Sequence, residues 1–380
     1  MGLLAIEQGL KPSAWVSMPK ILGDRGLTSA INARLINVTP TPKDKQIQPA
    51  SLDVKIGEVR VYDYEAQIRT NQQMAKLDLR DIILDRDIPT TEFAKVYPDE
   101  SSVPIKIPSV AFAEIFLHED LQFDTNDYSL EADLRSSRGR LGLTLQSKSI
   151  QVENGRRYLQ ILNHNPNDII LYGQSRFAQV FFYPKHNNIP NDGHIIVDPI
   201  EVKRISEQIC DTNKIKTYGH YILFSVGDHI FKTNKIGTID TKNMPNKNEL
   251  YTKYDTSSPV VCQPDDAIIV QLTPKLKLPP NIGVKLLNNI PLSQISGSFD
   301  ASALWGIIEG STANAGWVDP GYNGNITGHP FYFKGETILK KGDTVGVGLI
   351  YQYNNPVLRP YGSEFLDSHY QNTTGEVSKN

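Results

Sequence analysis

An all-β fold, β-rich with a few short helices, is what this sequence predicts, and three observations carry the prediction. From Leu52 to about residue 185, short apolar runs alternate with Gly, Pro, Asn and Asp turn signals, which is strand patterning. Few stretches sustain the 3.6-residue period of a long helix. Strand-like patterning resumes at Ala267–Leu272 and continues to about Tyr353, as though a first β unit were followed by a second. Many short strands with frequent turns favour a β-sandwich or jelly roll over an alternating α/β fold.

The elements follow in order. Lys20 to Asn37 has helical spacing at Ile21, Leu22, Leu27, Ile31 and Leu35, interrupted by Gly23 and Gly26. Leu52, Val54 and Ile56 alternate with polar residues and predict a half-buried strand. Asp53, just inside that run, is read as a turn cap before a strand rather than as a catalytic acid. Further strands are expected at Val59–Tyr62, Ser109–Phe116, Ile169–Leu171 and Phe177–Tyr183. Residues 186–250 are rich in Asn and Lys and read as a connecting region, with a helix at Glu201–Ile209 and a hairpin around Tyr218–Phe231. The expected organisation is therefore a first domain over 1–185, a connector over 186–250 and a second domain over 251–380.

The two halves repeat weakly. Val110–Leu117 precedes Leu134-Arg135-Ser136-Ser137-Arg138-Gly139-Arg140-Leu141-Gly142-Leu143, as Ala267–Leu286 precedes Phe299-Asp300-Ala301-Ser302-Ala303-Leu304-Trp305-Gly306-Ile307. Leu171–Phe177 and Leu339–Val345 each place a Gly turn between strands.

Bulk composition excludes several classes. Lys+Arg is 39 and Asp+Glu is 42, so the chain lacks the positive field that draws in nucleic acid. Anion binding must be local. Cys210 and Cys262 make neither a disulfide framework nor a zinc site, and they suit a reducing cytoplasm. The start, MGLLAIEQGLKPSAW, predicts no signal peptide, and no apolar run reaches the ~18 residues that suggest a membrane span. Walker A and Gly-x-Gly-x-x-Gly motifs are absent, and His118, His164, His186, His194, His220 and His229 show no metal-ligand spacing.

The densest chemical signal is Leu134–Leu143. Three arginines, two serines and two glycines in ten residues form an anion cradle, because the guanidinium fork and small hydroxyls donate to phosphate oxygens. This run, with Ile47-Gln48-Pro49-Ala50-Ser51-Leu52-Asp53, resembles the dCTP deaminase family of the dUTPase-like superfamily. Ala315-Gly316-Trp317-Val318-Asp319-Pro320-Gly321-Tyr322-Asn323-Gly324-Asn325-Ile326-Thr327 resembles its substrate hairpin. Arg359-Pro360-Tyr361-Gly362 and Ser368-His369-Tyr370-Gln371 resemble its closing segment. The length resembles the double-length, two-domain branch.

The resemblance implies two distorted jelly-roll, β-clip domains of dUTPase-like fold, and a dCTP deaminase-like hydrolase converting dCTP to dUTP and ammonia in dUTP and dTTP precursor metabolism. Arg135, Ser136, Ser137 and Arg140 would grip the triphosphate of a pyrimidine deoxynucleotide, Trp317 to Gly321 would line the nucleoside, and Asp319 would reach the deoxyribose. Tyr361 and Gln371 would close over the ligand, and family members usually form homo-oligomers. The halves are complementary: the first keeps the cradle but has Val152-Glu153-Asn154-Gly155-Arg156 where a hairpin is expected. The second keeps the hairpin but has Ala301-Ser302-Ala303 for a cradle. One composite site per chain follows.

The family activates water with a glutamate after the hairpin. Here the matching positions carry Gln160 in the first half and His329 in the second, or Gly328 if the alignment slips by one. Glutamine cannot take a proton, whereas histidine can. Asp319 opens an alternative, dUTP pyrophosphatase or bifunctional chemistry on a triphosphate carrying Mg²⁺, as in the dUTPase relatives. A nucleotide-binding paralogue without turnover is the third expectation.

Overall fold

The computed structural model describes residues 20–62, 94–186, 192–211, 215–264, 266–287, 311–312, 316–328, 332–333, 336–364, 366 and 371–372. His329, the Ala301–Ala303 stretch and Ser368–Tyr370 lie outside the described residues.

Strand-formers dominate, as the patterning predicts, and among the described residues they build two large sheets. The first has eight strands around Leu52–Tyr62, which pairs antiparallel with Arg176–Pro184 through its beginning and with Phe112–Leu117 through its end. The handover falls at an irregularity between Ile56 and Val59, where Gly57 lets two backbones meet. A Cβ there would lie 2.9 Å from the Phe116 carbonyl oxygen. Tyr128–Leu134 extends the sheet beyond Arg176–Pro184, and Arg156–Asn163 extends it beyond Phe112–Leu117. The Leu52 strand is not half-buried as its alternation predicts. Most of its residues are buried, Asp53 included, because both faces are covered. Asp53 therefore caps no turn.

The second sheet has nine strands. Its long members are Tyr221–Thr233 and Thr344–Tyr353, paired antiparallel, with Ile268–Thr273 and Ile282–Leu287 on their other edges. The stretch 186–250, expected as a connector, thus contributes the 13-residue Tyr221–Thr233 strand to this sheet. It also carries the helix Pro199–Ile209, started by Asp198, whose side chain accepts from the Ile200 N–H at 2.9 Å. A hairpin joins Thr217–Tyr218 to Tyr221, turning at Gly219 with φ +53°. Periodicity shows these pieces, but their Asn- and Lys-rich surroundings conceal that they enter a core. The turn expected at Leu339–Val345 is present, with Gly342 at φ +91°.

Two features join the sheets. The strand Ile21–Leu22 pairs with Asp192–Ile195 at the edge of the second sheet, although the chain from Leu52 onward builds the first. Ile21, Ala50, Phe181, Tyr183, Tyr351, Tyr353 and Val357 then pack into one buried cluster drawn from both halves. Each large apolar side chain buried there contributes roughly 1.5–3 kcal/mol. Polar contacts reinforce the seam: the Asn167 carboxamide oxygen accepts from Ile236 N at 2.6 Å and Gly237 N at 2.8 Å.

Candidate functional site

The cradle sits where Tyr128–Leu134 leaves the first sheet. Arg135 donates its backbone N–H to Phe177 O at 3.1 Å, which anchors the turn, and Ser136–Gly139 winds one short helical turn. Gly142 completes the exit at φ +81°. Ser137 is exposed and Ser136 is half-buried. The two outer arginines reach in different directions. Arg135 Nη1 lies 3.4 Å from Asp53 Oδ2, which Arg176 Nη1 also approaches, at 3.3 Å. Arg140, almost fully buried, donates from Nη2 to Thr327 O at 3.4 Å. Thr327 belongs to the segment after the second-half hairpin, so the first-half cradle touches the second half directly.

Asp319 heads that hairpin. Trp317–Val318 pairs with Ile282–Leu287, the Tyr322 N–H closes a turn onto Asp319 O at 3.1 Å, and Gly321 takes φ +90°. The Asp319 carboxyl is buried with Oδ1 lacking a hydrogen-bond partner, and so is Asp53 Oδ1. Burial pushes the Asp319 carboxyl up to about 8. The charges of Asp53 and Asp24 push the same way, while Trp317 and Arg135 pull it down. Burial also raises Asp53, to about 6, against the charges of Arg135 and Arg176. Asp319 therefore lies within electrostatic reach of both Asp53 and Arg135, a junction of three acids and two arginines shared by the halves.

Two of these residues are invisible to motif reading. Arg176 sits in an ordinary Gly turn, and nothing local marks it. Asp24 opens the Asp24–Asn32 helix, yet its carboxylate accepts from Leu358 N at 2.9 Å and Arg359 N at 2.7 Å, holding the start of the closing segment.

Trp317 packs its ring 5.5 Å from Phe181 and 5.0 Å from Tyr351, at the junction of the halves. Tyr361 places its ring 5.6 Å from that of Tyr322, tilted by 55°, and donates its backbone N–H to Pro320 O at 2.8 Å. The Gln371 carboxamide accepts from Asn323 N at 3.0 Å and donates to Gly321 O at 3.1 Å. The closing segment thus already rests on the hairpin. Gly321 permits this, since a Cβ there would lie 2.7 Å from Pro360 Cβ and 3.0 Å from Tyr361 N. Gly342 has a similar φ of +91° but nothing within 4 Å of a Cβ. Gly321→Ala should therefore cost clearly more stability than Gly342→Ala, which bears only the left-handed backbone term of roughly 1–2 kcal/mol. It should also speed protease cleavage within 359–371. Equal melting shifts for the two variants would mean that the hairpin does not carry this segment.

The first-half counterpart of the hairpin is filled by charge pairs. Arg60 Nη1 lies 2.7 Å from Glu153, Arg156 Nη1 lies 2.9 Å from Glu58, and both guanidinium groups stack 4.5 Å from the Phe116 ring. Gln160 faces Glu114 across the ladder and serves it as a hydrogen-bond partner.

Fold and site define a strand-rich protein of dUTPase-like fold with its polar junction between two halves. A family model described as dCTP deaminase-like matches residues 21–184, within the first half of the chain. The "dCTP deaminase, dUMP-forming" of Corynebacterium diphtheriae is 27% identical over 147 residues, 38% of this chain and 72% of that protein. The protein of the same description from Bifidobacterium adolescentis is 24% identical over 187 residues, 48% of this chain and 84% of that one. In structure, the chain resembles the 2'-deoxycytidine 5'-triphosphate deaminase of Agrobacterium tumefaciens, with a TM-score of 0.65 at 16% identity. That match covers 91% of this chain and 98% of the other, so the likeness of fold reaches through both halves.

Proposed function

We propose that this chain binds a pyrimidine deoxynucleoside triphosphate at the junction of its halves and deaminates dCTP to dUTP and ammonia. The observation that carries the reading is the meeting of the first-half cradle with the second-half hairpin. Arg140 touches Thr327, and Arg135 and Asp53 both act on Asp319. Each half lacks the other's part, and neither part alone would hold both ends of a nucleotide. Arg135 and Arg140, with Ser136 and Ser137, meet the phosphates; Asp319, Trp317 and Gly321 meet the nucleoside; Tyr361 and Gln371 keep the closing segment over the hairpin. Two domain-like halves and a cytoplasmic setting, suited to free Cys210 and Cys262, belong to the same proposal.

The base for water attack on the cytosine ring is His329, two residues beyond Thr327. Neutral imidazole accepts the proton, so the rate should fall as pH drops below about 6.5, the usual histidine value. Hydrogen bonds from the hairpin backbone would orient the water and steady the tetrahedral adduct.

A bifunctional reading draws support from the relatives' descriptions, because forming dUMP from dCTP requires loss of both the amino group and pyrophosphate. A protein-held Mg²⁺ does not fit this site. Among the described residues no group of three His, Cys, Asp or Glu side chains is placed to hold a metal, and the surroundings of Asp319 favour its protonated form. Magnesium enters only as substrate, carried by the triphosphate.

Incubation with dCTP and Mg²⁺ tests the proposal. Ammonia should appear with wild type, vanish with His329→Ala and persist with His329→Glu. Pyrophosphate released alongside ammonia, and lost in Asp319→Asn, would mark the bifunctional enzyme. Tight dCTP binding with neither product would overturn the enzymatic reading in favour of a nucleotide-binding paralogue.

A further inference from the structure

The cradle carries a third arginine that the roles above leave unused. Arg138 stands between Ser137 and Gly139, three residues after Arg135, a spacing that places both on one face of a helical turn. Their surroundings differ. Arg135 has the carboxylate of Asp53 at 3.4 Å. Arg138 has its Nε sealed from solvent without a hydrogen-bond partner, and none of the described acids pairs with it. Burial and the charge of Arg135 push its guanidinium down to about 10, and no carboxylate among the described residues pulls it back. It still carries its charge at neutral pH. A shielded cation beside a second cation is unfavourable unless an anion arrives, and a guanidinium with free donors is well shaped to receive phosphate oxygens.

We infer that Arg138 is a phosphate-binding residue that waits for its counter-ion, so that a bound polyphosphate chain runs along the face shared by Arg135 and Arg138. This rests on the proposed nucleotide site and adds to it a charge requirement. The ligand must bring more anionic groups than Arg135 and Arg140 would engage between them, which favours a triphosphate over a neutral nucleoside. Arg138 also differs in kind from Arg135, because Arg135 is partly neutralised by Asp53 before any ligand binds. Arg138 is not.

Calorimetric titration with dCTP, inorganic tripolyphosphate and deoxycytidine, together with thermal melts, provides the test. Arg138→Gln should weaken dCTP and tripolyphosphate by about tenfold or more, as loss of a charge-assisted hydrogen bond does, and leave deoxycytidine unchanged. Arg138→Lys should recover part of the loss. Arg138→Met should melt at or above the wild-type temperature without ligand, since an uncompensated charge has been removed, while gaining less from saturating dCTP. Undiminished dCTP affinity in Arg138→Gln, with wild type binding normally, would overturn this inference alone. Arg138→Met melting well below wild type without ligand would also overturn it, making the side chain a structural anchor. Wild type that binds neither dCTP nor tripolyphosphate would overturn it together with the proposed function.

Discussion

The folded chain should lose stability as pH rises from about 5 to about 9, and Asp319→Asn should abolish the upper part of that loss. Burial raises Asp319 to about 8, and Asp53 and Asp133 each to about 6. In the unfolded chain these carboxyls titrate near about 3.9. Between the two values the folded state holds a proton that the unfolded state has released. Raising pH through that window therefore favours unfolding, by about 1.4 kcal/mol per pH unit for each such group. The contribution of Asp319 is complete below about pH 4 and gone above about pH 8. Asparagine copies the neutral acid in shape and does not titrate. Above about pH 6.5, where Asp53 and Asp133 have largely ionised, the variant's melting temperature should be nearly flat while wild type still declines. Parallel curves for the two proteins between pH 6.5 and 8.5 would show that Asp319 is ionised throughout. The same proton bears on chemistry: an Asp319 that must accept a proton from water becomes competent only as pH climbs past its raised value, whereas a histidine base is already neutral at pH 7.

Arg135→Ala should be the most damaging substitution in the cradle, for two separable reasons. It removes the proposed phosphate donor, which should weaken triphosphate binding by tenfold or more. It also strips Asp53, whose side chain is completely buried, of one of its two counter-charges. Breaking a buried pair costs about 3–5 kcal/mol, and the lower end applies because Arg176 remains. A double substitution separates the effects. Asp53→Asn together with Arg135→Ala should regain most of the stability, since no buried charge is left exposed to the loss, but none of the triphosphate affinity. Chemical denaturation reads the first and calorimetry the second. If the double variant binds dCTP like wild type, Arg135 serves Asp53 and not the nucleotide.

The legibility of this chain in its sequence follows the range of the interactions involved. Strands such as Phe112–Leu117 and Arg176–Pro184 announce themselves through local apolar runs, and the helix Pro199–Ile209 through its period and its Asp-Pro start. The cradle is legible as a chemical cluster because its arginines, serines and glycines are consecutive. Asp53 is misread because a single acid near the start of a strand looks like a turn residue. Only Arg135 and Arg176, 82 and 123 positions away, explain why it is buried. Residues 186–250 mislead for a similar reason. Polar surface residues dilute their pattern, while Tyr221–Thr233 finds one of its long partners more than a hundred residues later, in Thr344–Tyr353. Asp24 gives no sign in the sequence of holding Leu358 and Arg359.

The exchange of Ile21–Leu22 into the second sheet has a consequence for how a ligand gets in. Two halves joined by a simple linker can part like a clam shell and close on what they catch. Here such a swing would have to peel Ile21–Leu22 from Asp192–Ile195 and pull Asp24, in the helix that follows, off the backbone of Leu358 and Arg359. The chain is buckled across its own seam. On the proposed site, a nucleotide would therefore reach Asp319 by local displacement of the segment resting on Gly321, and not by a swing of one half away from the other.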